Sequence, residues 1–138
     1  MRKNKLNLKE AIKFHGHLGP YLVLGLLMGG LAVSIFKCKK HFGIKVLVVG
    51  ATEKPKSCLI DGLQLSTGCT YGKGNIEKIK GRSIQVLFLN LENKKKLVIL
   101  LSKDLIDKLN NLKGHKDSEA FARKLAGLNC KNLFEIKS

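Results

Sequence analysis

Two histidines flanking a glycine are the first residues whose types and spacing point to chemistry. His15 and His17 stand on either side of Gly16, shortly before Pro20 and a long apolar run. A tight turn of this kind presents imidazoles instead of burying them in a core. Either histidine alone is more often structural, but together, beside flexible glycines, they indicate metal binding or acid–base chemistry.

A cysteine and an aspartate follow at helical spacing near the middle of the chain. Cys58 and Asp61 are three residues apart, so they share one face of the helix that we predict from Ser57 to Ser66. A lone cysteine on a helix is usually a small buried hydrophobe. With Asp61 one turn later, the pattern indicates a metal site. Its carboxylate would bind the ion, orient a histidine ligand, or act as a general base on metal-bound water.

A glycine-rich loop from 68 to 74 carries the third group of candidates. Its glycines allow the loop to aim the Cys69 thiol and the Lys73 ammonium into a cleft, although a tight strand connection would have the same composition. The loop departs from the phosphate-binding pattern GxxxxGK[ST] in its glycine spacing and its last residue, which argues against nucleotide hydrolysis. We expect Lys73 to bind an anion or to lower the pKa of the Cys69 thiol.

Thiolates and imidazoles together favour zinc over iron or copper, and four such groups match one tetrahedral ion. We therefore predict one site for zinc or another divalent transition metal, with Asp61 and Lys73 as candidate catalytic groups and with these ligands: His15, His17, Cys58 and Cys69. An open site with three protein ligands would be catalytic and a closed one structural; the sequence leaves both possible. The remaining cysteines and histidines are expected at the surface or in packing: Cys38, His41, His115 and Cys130.

The elements that must position these groups do not repeat a βαβ pattern, which indicates an α+β domain spanning residues 1–138, with helices packed on a mixed or antiparallel sheet. Asn7 and Glu10 predict the start of a first short helix. Further helices are predicted over 20–36, 57–66, 102–111 and 116–126. Strands are predicted over 45–50, 83–90, 96–101 and 133–136, with the middle two forming an antiparallel hairpin.

The apolar run from 18 to 36 has a competing interpretation as a membrane helix. It contains no charged residue, and Gly25 and Gly29 have the small-xxx-small spacing of membrane helix dimers. However, glycines and a proline dilute its hydrophobicity, and a helix starting at Pro20 has only 17 residues, the short limit for a bilayer span. We therefore predict a buried central helix and no membrane span. Its glycines would let a strand, another helix or a second subunit approach closely, and we expect a homodimer.

Composition narrows the partners and the compartment. The chain has 26 Lys and Arg against 10 Asp and Glu, a net charge of +16. Only three of the basic residues are arginines and the lysines are scattered, which argues against a specific nucleic-acid reader and favours a solvated surface with weak attraction for anions. Four separated cysteines without a CxxC pair, and no signal-type N-terminus, predict a cytoplasmic protein with reduced thiols.

Taken together, the three segments resemble the FmdE family of formylmethanofuran dehydrogenase subunits, whose pattern is FHGHxCPG, then CxxDGxQ, then GCTxGKGN. The matching stretches are Phe14 to Pro20, Cys58 to Gln64 and Gly68 to Asn75. The resemblance implies an α+β core related to the catalytic-domain fold of glyceraldehyde-3-phosphate dehydrogenase. It also implies a dimer, and a metal bound near the His and Cys motifs.

Two departures from that family pattern matter. Gly19 replaces the cysteine before the proline, which favours an open site with three ligands, and no paired CxxC motifs follow Cys69, so the C-terminal zinc finger of many members is absent from this sequence. The chain also lacks a molybdopterin domain and an iron–sulfur cysteine cluster, so it cannot itself perform the redox reaction of methanogenesis. The leading hypothesis is an accessory metal-binding subunit of an oxidoreductase complex or a metal-handling protein. A small metal-dependent enzyme with Asp61 as base is second, and an interaction domain with a structural metal is third.

Overall fold

The computed structural model describes residues 7–128 and 132–138, and within them five helices pack with one five-stranded sheet. The helices are α1 (Leu8–His15), α2 (Pro20–Phe36), α3 (Cys58–Thr67), α4 (Lys103–Asn110) and α5 (Gly114–Ala126). The strands are β1 (Ile44–Val49), β2 (Ile76–Ile79), β3 (Gln85–Asn90), β4 (Lys96–Leu101) and β5 (Phe134–Lys137). The predicted α+β class and mixed sheet are confirmed.

The sheet is mixed because one connection crosses over while the others are local. Its strand order is β2-β1-β3-β4-β5; β1 and β2 run parallel, and the other neighbours run antiparallel. Alternate residues of β1, β3 and β4 are buried, so one face of the sheet enters the core. That face packs with α2 in a single hydrophobic cluster containing, among others, Val46, Val86, Phe88 and Ile99.

The central helix α2 is apolar all round because it is enclosed, as a helix with this composition must be in a globular fold. It lies against α3 and α5. Gly25 of α2 meets α3 so closely that an added Cβ would lie 2.1 Å from the Leu59 carbonyl oxygen, and Gly62 of α3 meets the Leu22 carbonyl in the same way at 2.2 Å. The glycine spacing that resembles a membrane dimer motif therefore serves a helix–helix contact within the chain. In the described residues no helix is both long enough and apolar enough to span a membrane.

Local capping signals account for several boundaries. The Asn7 side chain accepts a hydrogen bond from the Glu10 amide at 3.1 Å, and the Ser102 hydroxyl accepts one from the Leu105 amide at 3.2 Å. Helix α5 begins two residues earlier than predicted, at Gly114. Strand β2 was not predicted, because only its first residue is buried and a short edge strand with exposed side chains shows no alternation.

Candidate metal site at the first turn of α3

The end of α1 and the first turn of α3 bring a histidine and a carboxylate into direct contact. His15 is the last residue of α1, and Gly16 then reverses the chain with a φ of 107°. Nδ1 of His15 lies 2.5 Å from Oδ2 of Asp61. A carboxylate at this distance accepts the Nδ1 proton and so fixes the orientation and the tautomer of the ring.

The other ring nitrogen of His15 has no partner. The His15 side chain is 10% exposed, and within the described chain its Nε2 atom is buried and makes no hydrogen bond. With the proton on Nδ1, Nε2 carries a lone pair. A buried polar atom without a partner is costly, and an imidazole held from behind by a carboxylate is the usual arrangement of a metal-ligating histidine. His15 therefore fits a metal ion at Nε2.

The second histidine lies beside the first. The centroids of the His15 and His17 rings are 4.7 Å apart, with an angle of 51° between the ring planes. His17 is exposed, and its ring faces Gly19, where an added Cβ would lie 3.3 Å from Cε1 and 3.7 Å from Nδ1 of His17. The two rings are near enough for both to reach one ion, and the missing side chain at Gly19 leaves open space at the same point.

Cys58 approaches the pair from the same helix face as Asp61. It begins α3, one turn before the aspartate, and is partly buried. Burial raises the pKa of the Cys58 thiol, the negative charge of Asp61 raises it further, and Lys54 opposes both. The thiol is consequently protonated at neutral pH unless a metal displaces the proton.

Cys69 and Lys73 lie at the opposite end of α3, so the predicted set of four ligands around one ion is not assembled. Helix α3 has 10 residues, which separates its ends by about 15 Å at 1.5 Å per residue. The Cys69 side chain is fully buried, and its Sγ donates to the Ile44 carbonyl at 3.2 Å. Burial is the main cause of its raised pKa, although the Thr67 hydroxyl and Lys73 oppose the shift. Cys69 is a core residue here.

Lys73 is also engaged away from Asp61. Its ammonium donates to the Gly68 carbonyl at 2.5 Å and lies 5.3 Å from the centre of the Phe42 ring. The loop that it closes is further held by Asn75, whose amide group donates to the His41 carbonyl at 2.6 Å. His41 packs against Gly68, as expected of a packing residue. Cys130 lies outside the described residues.

The structure therefore brings together His15, His17 and Asp61, with Cys58 one turn away, and separates Cys69 and Lys73 from them. Among the residues that the structure describes, no group of three or more His, Cys, Asp or Glu side chains already surrounds a common point where a metal would sit. Closure around an ion would need side-chain rotation of His17 and Cys58, both of which are at least partly exposed.

A basic cleft adjoins this end of α3, and it was not predicted from the sequence. It has a volume of about 450 Å³ and lies where β1 and β2 end, lined in part by Lys54, Lys56 and Lys80, with Glu53 as its one acidic lining residue. The lysines are far apart in sequence, and strand β2, which positions Lys80, was not predicted. The cleft makes the approach to Cys58 electropositive.

Comparisons with known proteins agree with this fold. Residues 14–133 match the family described as "FmdE, Molybdenum formylmethanofuran dehydrogenase operon". A solved structure of an FmdE-like protein of tungsten formylmethanofuran dehydrogenase, from Syntrophus aciditrophicus, covers 99% of this chain and is itself covered to 75%, with a TM-score of 0.66 and 17% identity. That likeness shows the shared fold.

A curated relative is similar over a shorter stretch. A probable S-adenosyl-L-methionine-binding protein of Archaeoglobus fulgidus is 32% identical over 73 residues, which are 50% of this chain and 19% of the relative. The match thus spans about a fifth of the relative's length. The family match, by contrast, includes the His15–His17 turn, the first turn of α3 and the loop after it, and on that basis the chain belongs to the FmdE family.

Proposed function

We propose that this FmdE-family protein binds a transition metal, zinc, at the His15–Asp61 end of α3. In this proposal it acts as an accessory subunit or metal-handling protein related to formylmethanofuran dehydrogenase. The observation that carries the proposal is the buried Nε2 of His15, which has no hydrogen-bond partner in the described chain while Asp61 holds the opposite nitrogen.

The proposed ligands are His15, His17 and Cys58, which leaves one position of a tetrahedral ion open. Asp61 acts on the ion indirectly, by keeping the Nδ1 proton of His15 and directing Nε2 at the metal. The small residue Gly19 beside His17 favours the open position, because no side chain fills that space. Zinc held in this way would supply Lewis-acid polarisation of an oxygen-bearing ligand.

The second hypothesis, a metal-dependent enzyme with Asp61 as general base, receives less support from the geometry. The Asp61 carboxylate is already committed to His15 at 2.5 Å, and Lys73, the other proposed catalytic group, is tied to the Gly68 carbonyl. A closed structural metal also receives little support, since Cys69 is not available as a fourth ligand. These contacts favour metal binding in an accessory role.

The setting of the protein is part of the proposal. Membership of the FmdE family favours association with a dehydrogenase complex of formylmethanofuran metabolism, as in methanogenesis. We further propose a cytoplasmic homodimer. Since α3 of the same chain occupies the glycine side of α2, a second copy must use another surface.

Metal content and affinity measured on matched variants test the proposal. Wild-type protein loaded with zinc and desalted should hold about one equivalent by elemental analysis. In competition with a chromophoric chelator, His15→Gln and Cys58→Ser should bind at least about 100-fold more weakly. Asp61→Asn should lose about 10- to 100-fold, as expected for removal of a group that orients a ligand.

Two controls remove the same residue types elsewhere. His115 is exposed and Cys69 is buried at the far end of α3, so His115→Gln and Cys69→Ser should keep the wild-type stoichiometry. Wild-type protein without bound zinc, or a His15→Gln variant with unchanged affinity, would contradict the proposal.

A further inference from the structure

One face of the sheet carries aliphatic side chains that no described helix covers. Residues of β1, β3 and β4 that alternate with the core positions point away from α2; we call them the outer sheet face: Leu47, Val49, Leu87, Leu89, Val98 and Leu100. Each is partly exposed, and none belongs to the hydrophobic clusters that involve the helices. Ile79 of β2 extends the face and is 46% exposed. A contiguous apolar surface of this kind marks an interaction site.

The strand register places an ordered row of side chains across the middle of this face. Leu47 pairs with Glu77 on one side and with Leu87 on the other, and Leu87 pairs with Val98, which pairs with Lys137. The row therefore has an acid at the β2 edge, three aliphatic residues in the centre and a lysine at the β5 edge. Its two ends carry opposite charges.

The outer sheet face is also nearly neutral, in contrast with the rest of the chain. Its charged residues are Lys45, Glu77, Lys96, Glu135 and Lys137, a net charge of +1, whereas the whole chain carries +16 with only 10 acidic residues. Two copies of so basic a protein repel each other at most approaches. On this face the repulsion is smallest.

We infer that the outer sheet face is the surface on which a second copy of this chain docks, face to face. A two-fold axis running along β3 at Leu87 places the two Leu87 side chains opposite each other. The same axis brings the Glu77 end of one row over the Lys137 end of the other copy. An isologous contact requires a self-complementary surface, and this row is one.

The size of the face suits a dimer. Five strands about 4.8 Å apart, each about six residues long, give a projected area of roughly 400 Å², and the accessible surface of projecting side chains is larger. Specific interfaces bury about 800 Å² per partner, which the aliphatic centre and its charged rim together approach. This inference names the surface for the proposed homodimer and is independent of metal binding.

Sedimentation equilibrium of the full chain tests the inference. Wild type should be a dimer at micromolar concentration. Leu87→Glu places a charge at the centre of the contact and should weaken dimerisation at least about 100-fold. Leu128 is another partly exposed leucine, 43% exposed at the end of α5, so Leu128→Glu is the matched control and should leave the dimer intact. Circular dichroism of each variant confirms that it has folded.

A charge exchange separates a contact between copies from one within the chain. Glu77→Lys should weaken the dimer because it places two lysines together, and adding Lys137→Glu should restore it. The two residues lie on opposite edge strands of the sheet, about 19 Å apart at 4.8 Å per strand, so rescue cannot arise within one chain. A monomeric wild type, an intact Leu87→Glu dimer, or a double variant no better than Glu77→Lys would each overturn the inference. Zinc content of the same samples reports separately on the metal site.

Discussion

Replacing Gly25 with alanine should destabilise the protein because α2 and α3 cross there with their backbones in contact. The new Cβ would lie 2.1 Å from the Leu59 carbonyl oxygen and 2.9 Å from the Gly62 Cα, whereas ordinary contacts begin at 3.4 Å. Neither atom belongs to a side chain that can rotate away. The helices must therefore separate by more than 1 Å, which forfeits a large part of the dispersion energy at the contact.

The size of the effect follows from two opposing contributions. Overpacking of a core costs about 1–3 kcal/mol, and a clash with backbone belongs at the upper end of that range. Alanine in a helix recovers up to about 1 kcal/mol relative to glycine. Gly25→Ala should therefore lose about 2 kcal/mol of unfolding free energy. Gly30→Ala, in the same helix with nothing within 4 Å of the new Cβ, should gain about 0.5–1 kcal/mol.

Urea unfolding monitored by circular dichroism measures both variants under the same conditions. The two unfolding free energies should differ by about 2–3 kcal/mol, with unchanged m-values, and the melting temperature of Gly25→Ala should fall by several degrees. If the two variants agree within about 0.5 kcal/mol, the close crossing of α2 and α3 is wrong, and with it the position of Asp61 next to Gly62.

Three further perturbations have defined outcomes. Because burial raises the pKa of the Cys69 thiol, the folded state favours the protonated form. Urea unfolding should show stability that is complete below the ordinary thiol pKa of about 8.5 and that falls as the pH rises past it. Cys69→Ala should flatten this dependence between pH 7 and 10, and an unchanged slope would refute the cause given. Ser102→Ala removes the cap of α4 and should cost about 0.5–2 kcal/mol in the same assay, with Ser118→Ala as the control; equal losses would contradict the capping role. Gly19→Cys places a thiol beside the His17 ring and should tighten zinc at least about tenfold in chelator competition, whereas Gly19→Ala should not.

Most of the fold could be predicted because its signals are local. The helix α2 begins and ends where the proline and the apolar run predict, and the β3–β4 hairpin and α4 follow from alternation and from the Ser102 cap. Strand β2 could not be found, since a strand at the sheet edge buries little and its exposed residues obey no period. Its parallel pairing with β1 is a long-range contact that leaves no mark in the local sequence.

The candidate site was predicted in its residue types but not in its grouping. Helical spacing placed Cys58 and Asp61 on one face, and the glycine turn brought His17 to His15. The error concerned Cys69, which was grouped with them because the chemistry of its thiol matched. Spacing alone cannot show that a helix of 10 residues separates Cys58 from Cys69. The contact between His15 and Asp61 joins residues 46 positions apart and depends on how α1 packs against α3.

Nitrogen-15 NMR of the histidine side chains tests the central claim most directly, because it reports the state of each ring nitrogen. In metal-free protein the account predicts that His15 carries its proton on Nδ1, held by Asp61, with an unprotonated Nε2. One equivalent of zinc should shift the Nε2 resonance of His15 and one ring nitrogen of His17, and leave His41 and His115 unchanged. A His15 ring that is protonated at Nε2 in the metal-free protein, or that does not respond to zinc, would contradict the account.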